Sequence, residues 1–143
     1  MYKQIQDCFE RGGKILICGN GGSASQANHF AAEFVCKYKK ERIPLPAISL
    51  AANQSVITAI ANDFSYDMIF SRQIAALGNE GDILITLSTS GKSKNILKAI
   101  KTAELLGLEI IDFPRKGKDV GEIQNNQLKL MHIICDKIEQ AYL

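Results

Sequence analysis

What most restricts this chain is a repeated pairing: an apolar run too short for a helix, a turn of small residues, then a stretch with helical spacing. Lys14-Ile15-Leu16-Ile17-Cys18 follows Gly12-Gly13 and ends in Gly19-Asn20-Gly21-Gly22-Ser23, the pattern of a buried strand running into a tight turn. From 23 to about 38, Ala27, Phe30, Ala31, Phe34 and Val35 recur at helical spacing, with Ser23 the expected N-cap. Pro46-Ala47-Ile48-Ser49-Leu50 is the second expected strand, followed by a short helix over 54–61 and another over 66–77. Gly81-Asp82-Ile83-Leu84-Ile85-Thr86-Leu87 is the third strand, and a helix over about 93–106 follows its turn. A fourth strand over 108–113 is stopped by Pro114, and a basic loop leads to a last helix from about Glu122. Strands alternating with helices require a parallel sheet covered on both faces. The expected fold is therefore α/β, in three α/β/α layers, and 143 residues suit one domain over 1–143.

Composition removes several function classes. A net charge of +2 gives no general attraction to nucleic acid or anionic lipid, so any phosphate affinity must come from local geometry. Lys37, Lys39, Lys40 and Arg42, and the later loop of Arg115, Lys116 and Lys118, are expected to be solvated basic segments. Cys8, Cys18, Cys36 and Cys135 show no CxxC spacing, which points to reduced thiols. With no apolar leader and no run of about 18 apolar residues, the expected location is the cytoplasm, without a membrane partner.

In a parallel sheet ligands gather beyond the carboxyl ends of the strands, which directs attention to the turns after Cys18 and Leu87. Ser88-Thr89-Ser90-Gly91-Lys92-Ser93 sets four hydroxyls and a glycine between a strand end and a helix start, where amide N–H groups and the helix dipole favour an anion. It lacks P-loop spacing, and the plain alternative is a capping turn that holds nothing. The Gly19 to Ser23 turn lacks the dinucleotide pattern, but Ser23 would meet the same anion if the two strands are neighbours. His29 and Glu33 share a helix face at i and i+4, and Gln124 and His132 share another at i and i+8. His29 and His132 are the only histidines. Such a set suits a zinc-like ion or an acid–base pair, and it equally suits ordinary helix surface and core.

In this order these blocks resemble the phosphoheptose isomerase family of SIS-domain proteins. The resemblance rests on Cys18-Gly19-Asn20-Gly21-Gly22-Ser23, His29-Phe30-Ala31-Ala32-Glu33, Asn62-Asp63-Phe64-Ser65-Tyr66-Asp67, Ile69-Phe70-Ser71-Arg72, Ser88-Thr89-Ser90-Gly91-Lys92-Ser93, and the ending from Ile123-Gln124 to His132-Ile133-Ile134-Cys135. It implies an aldose–ketose isomerase acting on sedoheptulose 7-phosphate through an enediol. The phosphate would be held by Ser23, Ser88, Thr89, Ser90 and Ser93, and the sugar would meet Asn20, Gly21, Gly22, Asp63 and Gln124. Glu33 would be the base and His132 the acid/base, while His29, Glu33, Gln124 and His132 would hold one zinc ion per subunit. The resemblance further implies a homotetramer with shared active sites and a place in making bacterial heptose precursors for surface glycans.

The chain departs from the family in places. Family members have a longer helical N-terminus and carry another strand between the positions of Phe113 and Gln124. Lys37 stands where the family has an arginine near the sugar, Lys92 where it has asparagine, and Gly121 where it has an acidic residue. Lysine cannot reproduce a bidentate arginine grip, which bears on substrate choice. The competing expectation is a non-catalytic SIS module, either a sugar-phosphate sensor or a protein-binding adaptor, which would have no need of the His29, Glu33, Gln124 and His132 set.

Overall fold

The computed structural model describes residues 1–143. Its elements run α1 (Tyr2–Glu10), β1 (Ile15–Gly19), α2 (Gly22–Val35), β2 (Ala47–Ser49), α3 (Gln54–Asp63), a 3-10 turn (Tyr66–Met68), α4 (Ser71–Leu77), β3 (Ile83–Leu87), α5 (Lys94–Leu105), β4 (Glu109–Asp112) and α6 (Val120–Ala141). The four strands are parallel, in the order β2-β1-β3-β4. Alternation along each strand divides the core in two. Ile15, Ile17, Ile83, Ile85 and Leu87 face a layer that includes Ile5, Phe30, Phe34, Met131 and Ile138, from α1, α2 and α6. Leu16, Cys18 and Leu84 face Ile60, Phe70, Ile74, Ile96 and Ala99 on the other side. This is the three-layer α/β/α arrangement expected from the sequence.

Three local expectations need correction. Ser23 does not cap α2: the helix begins at Gly22, and Gly21 stands before it at φ +56, a conformation that costs glycine little. The turn folds tightly back on the strand end, since a Cβ on Gly19 would lie 2.7 Å from the Ser23 carbonyl oxygen. The helix expected over 66–77 breaks into the 3-10 turn and α4, because the 310-type bonds from Met68 N–H to Ser65 and from Ile69 N–H to Tyr66 turn both Ile69 and Phe70 into the core. The last helix starts two residues early, at Val120, where Asp119 Oδ1 accepts from Glu122 N–H at 2.8 Å and Glu122 Oε2 accepts from Lys118 N–H at 2.7 Å. A further helix, α1, buries Ile5, Cys8 and Phe9 at i, i+3 and i+4 spacing. Between β4 and α6 the backbone forms no strand.

At the amino ends of the strands, buried Asp82 ties β1 to β3. It accepts from Lys14 N–H at 3.0 Å and Asn79 N–H at 2.8 Å, and pairs with Lys14 Nζ at 2.6 Å. Asp82→Ala leaves these donors without their partner and is expected to cost about 3 kcal/mol, read from urea unfolding. A loss well under 1 kcal/mol would show that the tie contributes nothing.

Candidate functional site

β1 and β3 are adjacent and paired along their whole length, from Ile15 opposite Ile83 to Gly19 opposite Leu87. The connection after β1 leads to β2 on one side and that after β3 leads to β4 on the other, so a crevice opens beyond these two strand ends. The amino ends of α2 and α5 both point into it, and although Ser23 and Ala24 N–H bond back to Asn20 and Gly21, the two helix dipoles make it favourable to negative charge. A cavity of about 40 Å³ sits there, lined by Asn20, Ser23, Leu87, Ser88, Thr89 and Ser93. Hydroxyls and amides dominate the lining, and no lysine or arginine is part of it.

The turn is held from within. Ser88 Oγ accepts from Gly91 N–H at 2.9 Å, which fixes the loop and leaves the Ser88 hydroxyl proton to be donated. Ser90 is exposed and its Oγ accepts from Lys92 N–H, so it stabilises the loop and does not line the cavity. Asn20 is locked by a reciprocal amide pair with buried Asn95, at 2.9 and 2.8 Å, and by Tyr66 Oη donating to its Oδ1 at 3.0 Å. Asn95 is not marked by any sequence motif, and Tyr66, though inside one of the blocks that carry the resemblance, has no role implied by it, since nothing in their local spacing marks a contact with Asn20.

A second cluster lies further along α2. His29 Nε2 and Glu33 Oε1 are 2.7 Å apart, one turn from each other as their spacing requires. His132 of α6 faces them, its ring 5.5 Å from that of His29, and the donor atoms of His29, Glu33 and His132 all lie within 4.8 Å of one another. Tyr38 stacks on His132 at 5.4 Å and 19°. Two imidazoles and a carboxylate are the donor set of an open zinc site.

Gln124 belongs to the other end of α2. Its Nε2 would lie 2.6 Å from a Cβ on Gly22, and its carbonyl accepts from Gln26 Nε2. Eight residues separate it from His132, a rise of about 12 Å, and helical side chains lean toward the amino end, so Gln124 leans away from the cluster. Within one chain Gln124 thus lies with the hydroxyl-lined turn. Asp63 ends α3 on the exposed surface, where it accepts from Asn62 Nδ2 at 3.0 Å, and it does not line the cavity.

The thiols near the site are inert. Burial pushes Cys18 far up from its ordinary value, and burial with Glu33 nearby pushes Cys135 up to about 12. A roomier cleft of about 400 Å³ opens at the opposite end of the sheet, around Arg11, Lys14 and Asp82. Its two basic side chains are already paired, Lys14 with Asp82 and Arg11 with Glu109, so neither is free to grip an anion.

The SIS domain family matches residues 2–113. The chain is 42% identical to the phosphoheptose isomerase of Campylobacter concisus, a match over 98% of the chain and 82% of that protein. It is 47% identical to the phosphoheptose isomerase of Helicobacter pylori strain P12, over 95% of the chain and 79% of that protein. The first match spans 156 aligned positions, more than the 143 residues of the chain, so the relative has residues within the match that this chain lacks. Among solved structures, the phosphoheptose isomerase of Francisella tularensis superposes with a TM-score of 0.93 at 37% identity, over 97% of this chain and 83% of that one. The phosphoheptose isomerase of Neisseria gonorrhoeae gives 0.89 at 34%, with the same coverage.

Of the four cysteines only Cys36 is exposed. A thiol reagent is therefore expected to label Cys36 alone in the native protein and all four after unfolding; rapid labelling of Cys18 or Cys135 in the native state would contradict the burial described.

Proposed function

The chain belongs to the SIS-domain family and, within it, to the phosphoheptose isomerases, and from that membership we propose that it interconverts sedoheptulose 7-phosphate and D-glycero-D-manno-heptose 7-phosphate through an enediol. One observation carries the proposal. A single helix, α2, begins in the hydroxyl-lined turn at Ser23 and presents His29 and Glu33, with His132 facing them, a rise of about 9 Å further on. That separation suits a sugar whose phosphate and reacting carbonyl are at opposite ends of its chain.

Ser23, Ser88, Thr89 and Ser93 would donate to the phosphate, with the α2 and α5 amide groups behind them. Ser90 would act through the shape of the loop. Asn20, Gly21, Gly22 and Gln124, all at or beside the hydroxyl-lined turn, would meet the sugar hydroxyls near the phosphate, and Asp63 would reach the substrate only from the crevice rim. The proton must move between two adjacent carbons, so one base has to serve both while an acid serves the oxygens. Glu33 takes the first role and His132 the second. His29, by its bond to the Glu33 carboxylate, orients that base.

His29, Glu33 and His132 would also hold a zinc ion, and a bound zinc would polarise the sugar carbonyl. Glu33 cannot be a ligand and a free base at once. Gln124 would join such a site only if contributed by a neighbouring subunit, which accords with a homotetramer whose sites are shared. Exposed Val35 at the end of α2 and exposed Ile133 beside His132 are apolar positions that a neighbour would cover. Residues 1–143 act in this proposal as one SIS unit in the cytoplasm, where free buried thiols stay reduced. No helix is long and apolar enough to cross a membrane. An adaptor or sensor would not need the His29, Glu33 and His132 group.

In a coupled assay with sedoheptulose 7-phosphate, Glu33→Gln and His132→Ala are each expected to lower kcat by about 100-fold or more with the fold intact by circular dichroism; near-normal turnover by both would reject these roles. Chelator is expected to lower turnover and added zinc to restore it. A rate indifferent to chelator assigns Glu33 wholly to proton transfer and removes the ion from the proposal.

A further inference from the structure

Beyond α2 the chain crosses to β2 over residues 36–46 without a regular element, and the last carbonyls of α2 have no partner inside the helix. Arg42 closes on them. Its Nη2 donates to the Glu33 carbonyl at 2.6 Å and its Nη1 to those of Phe34 at 2.8 Å, Ile43 at 2.9 Å and Cys36 at 3.2 Å. From α6, Glu139 accepts the backbone N–H groups of Tyr38, Lys39 and Lys40, each at 2.9 Å. The Arg42 and Glu139 side chains are only 2% and 4% exposed, and Arg42 Nε stands 4.0 Å from Glu139 Oε1 without a hydrogen-bond partner of its own. Burial raises the Glu139 carboxyl, but the N–H groups of Lys39, Lys40 and Tyr38 and the charge of Arg42 outweigh it and hold the group below its ordinary value.

Stability alone is a weak reason for this pair, because buried ion pairs are often replaced by apolar side chains at no cost. Its position is more informative. Glu139 stands seven residues, about two turns, beyond His132 on the same face of α6. Arg42 grips the carbonyl of Glu33 itself. Tyr38, whose N–H is held by Glu139, lays its ring on the imidazole of His132.

We infer that Arg42, Glu139 and Tyr38 are positioning residues: the buried Arg42–Glu139 clamp keeps Glu33 and His132 in register across α2 and α6, and Tyr38 fixes the plane of the His132 ring. The inference deepens the proposed function and rests on its assignment of Glu33 and His132. Residues that orient metal-binding or catalytic groups in this way typically change affinity or rate by about 10- to 100-fold when replaced.

The chain has two histidines, so an imidazole proton–carbon spectrum holds two sets of signals and can be assigned with His29→Asn. Tyr38→Leu is expected to move the His132 signals downfield as ring shielding is lost, and Tyr38→Phe to keep them in place. Glu139→Gln and Arg42→Lys are expected to move the same signals in the same direction and to lower kcat by about 10- to 100-fold, with KM near that of the parent because the phosphate turn is untouched. Folded Glu139→Gln and Arg42→Lys proteins with the parent's His132 signals and kcat would overturn the inference. Where either variant fails to fold, Tyr38→Leu decides: a fall in kcat at constant KM supports the role, and an unchanged kcat overturns it. If the parent turns over no sugar phosphate, the proposed function fails, while the His132 signals still decide the clamp.

Discussion

The hydroxyl-lined end of the site, on which the rest is built, follows from the full-length parallel pairing of β1 with β3. Because Gly19 lies opposite Leu87, the two small-residue turns leave the sheet side by side, and two helix amino ends converge on one point. A slip of one residue would reverse the faces of Ile15, Leu16, Ile17 and Cys18 and pull the turns apart. The register is fixed by burial, since all five residues of each strand are inaccessible on both faces. Asp82 adds a polar lock at the other end of the same two strands.

From this arrangement comes a division of labour along α2. Its first turn offers neutral donors, and its third and fourth turns offer imidazole and carboxylate. An anion held by hydroxyls and amides within a cavity loses less of its grip to salt than one held by exposed lysines. It also leaves the net charge of the chain near balance, consistent with a small phosphorylated ligand in place of a polymer. The reacting end depends instead on the mutual placement of two helices, and α6 carries both His132 and the Glu139 anchor. The SIS family match ends at residue 113, before α6 begins, so a chain bearing only the matched portion would hold the phosphate turns without His132.

Much of this was legible in the sequence, for physical reasons. β1 and β3 announced themselves because a strand buried on both faces reads as an unbroken apolar run. His29 and Glu33 could be placed together because helical spacing alone decides it. The approach of His132 to that pair, across about 100 residues of chain, was available only through resemblance, as no local pattern encodes a contact between helices. The start of α2 was misplaced because a serine next to glycines looks like a cap, whereas the sharp turn demanded a positive φ that Gly21 supplies. Arg42, expected in a solvated basic segment, is instead buried with its guanidinium on backbone carbonyls, and Asn95, Tyr38 and Glu139 went unmarked as site residues. Their roles lie in single hydrogen bonds and one stacked ring, which depend on tertiary packing and leave no periodic trace. Gln124 shares a helical face with His132, as its spacing states, yet a common face does not mean a common site when the rise between them is about 12 Å.

The central claim is that one phosphorylated sugar spans α2 from its first turn to its last. A crystal structure of the protein with a bound seven-carbon ketose phosphate tests it directly. The account predicts the phosphorus within hydrogen-bonding reach of Ser23, Ser88 and Ser93, and the carbonyl end beside His29, Glu33 and His132. A phosphate seated elsewhere, or a sugar chain running away from α6, would contradict it.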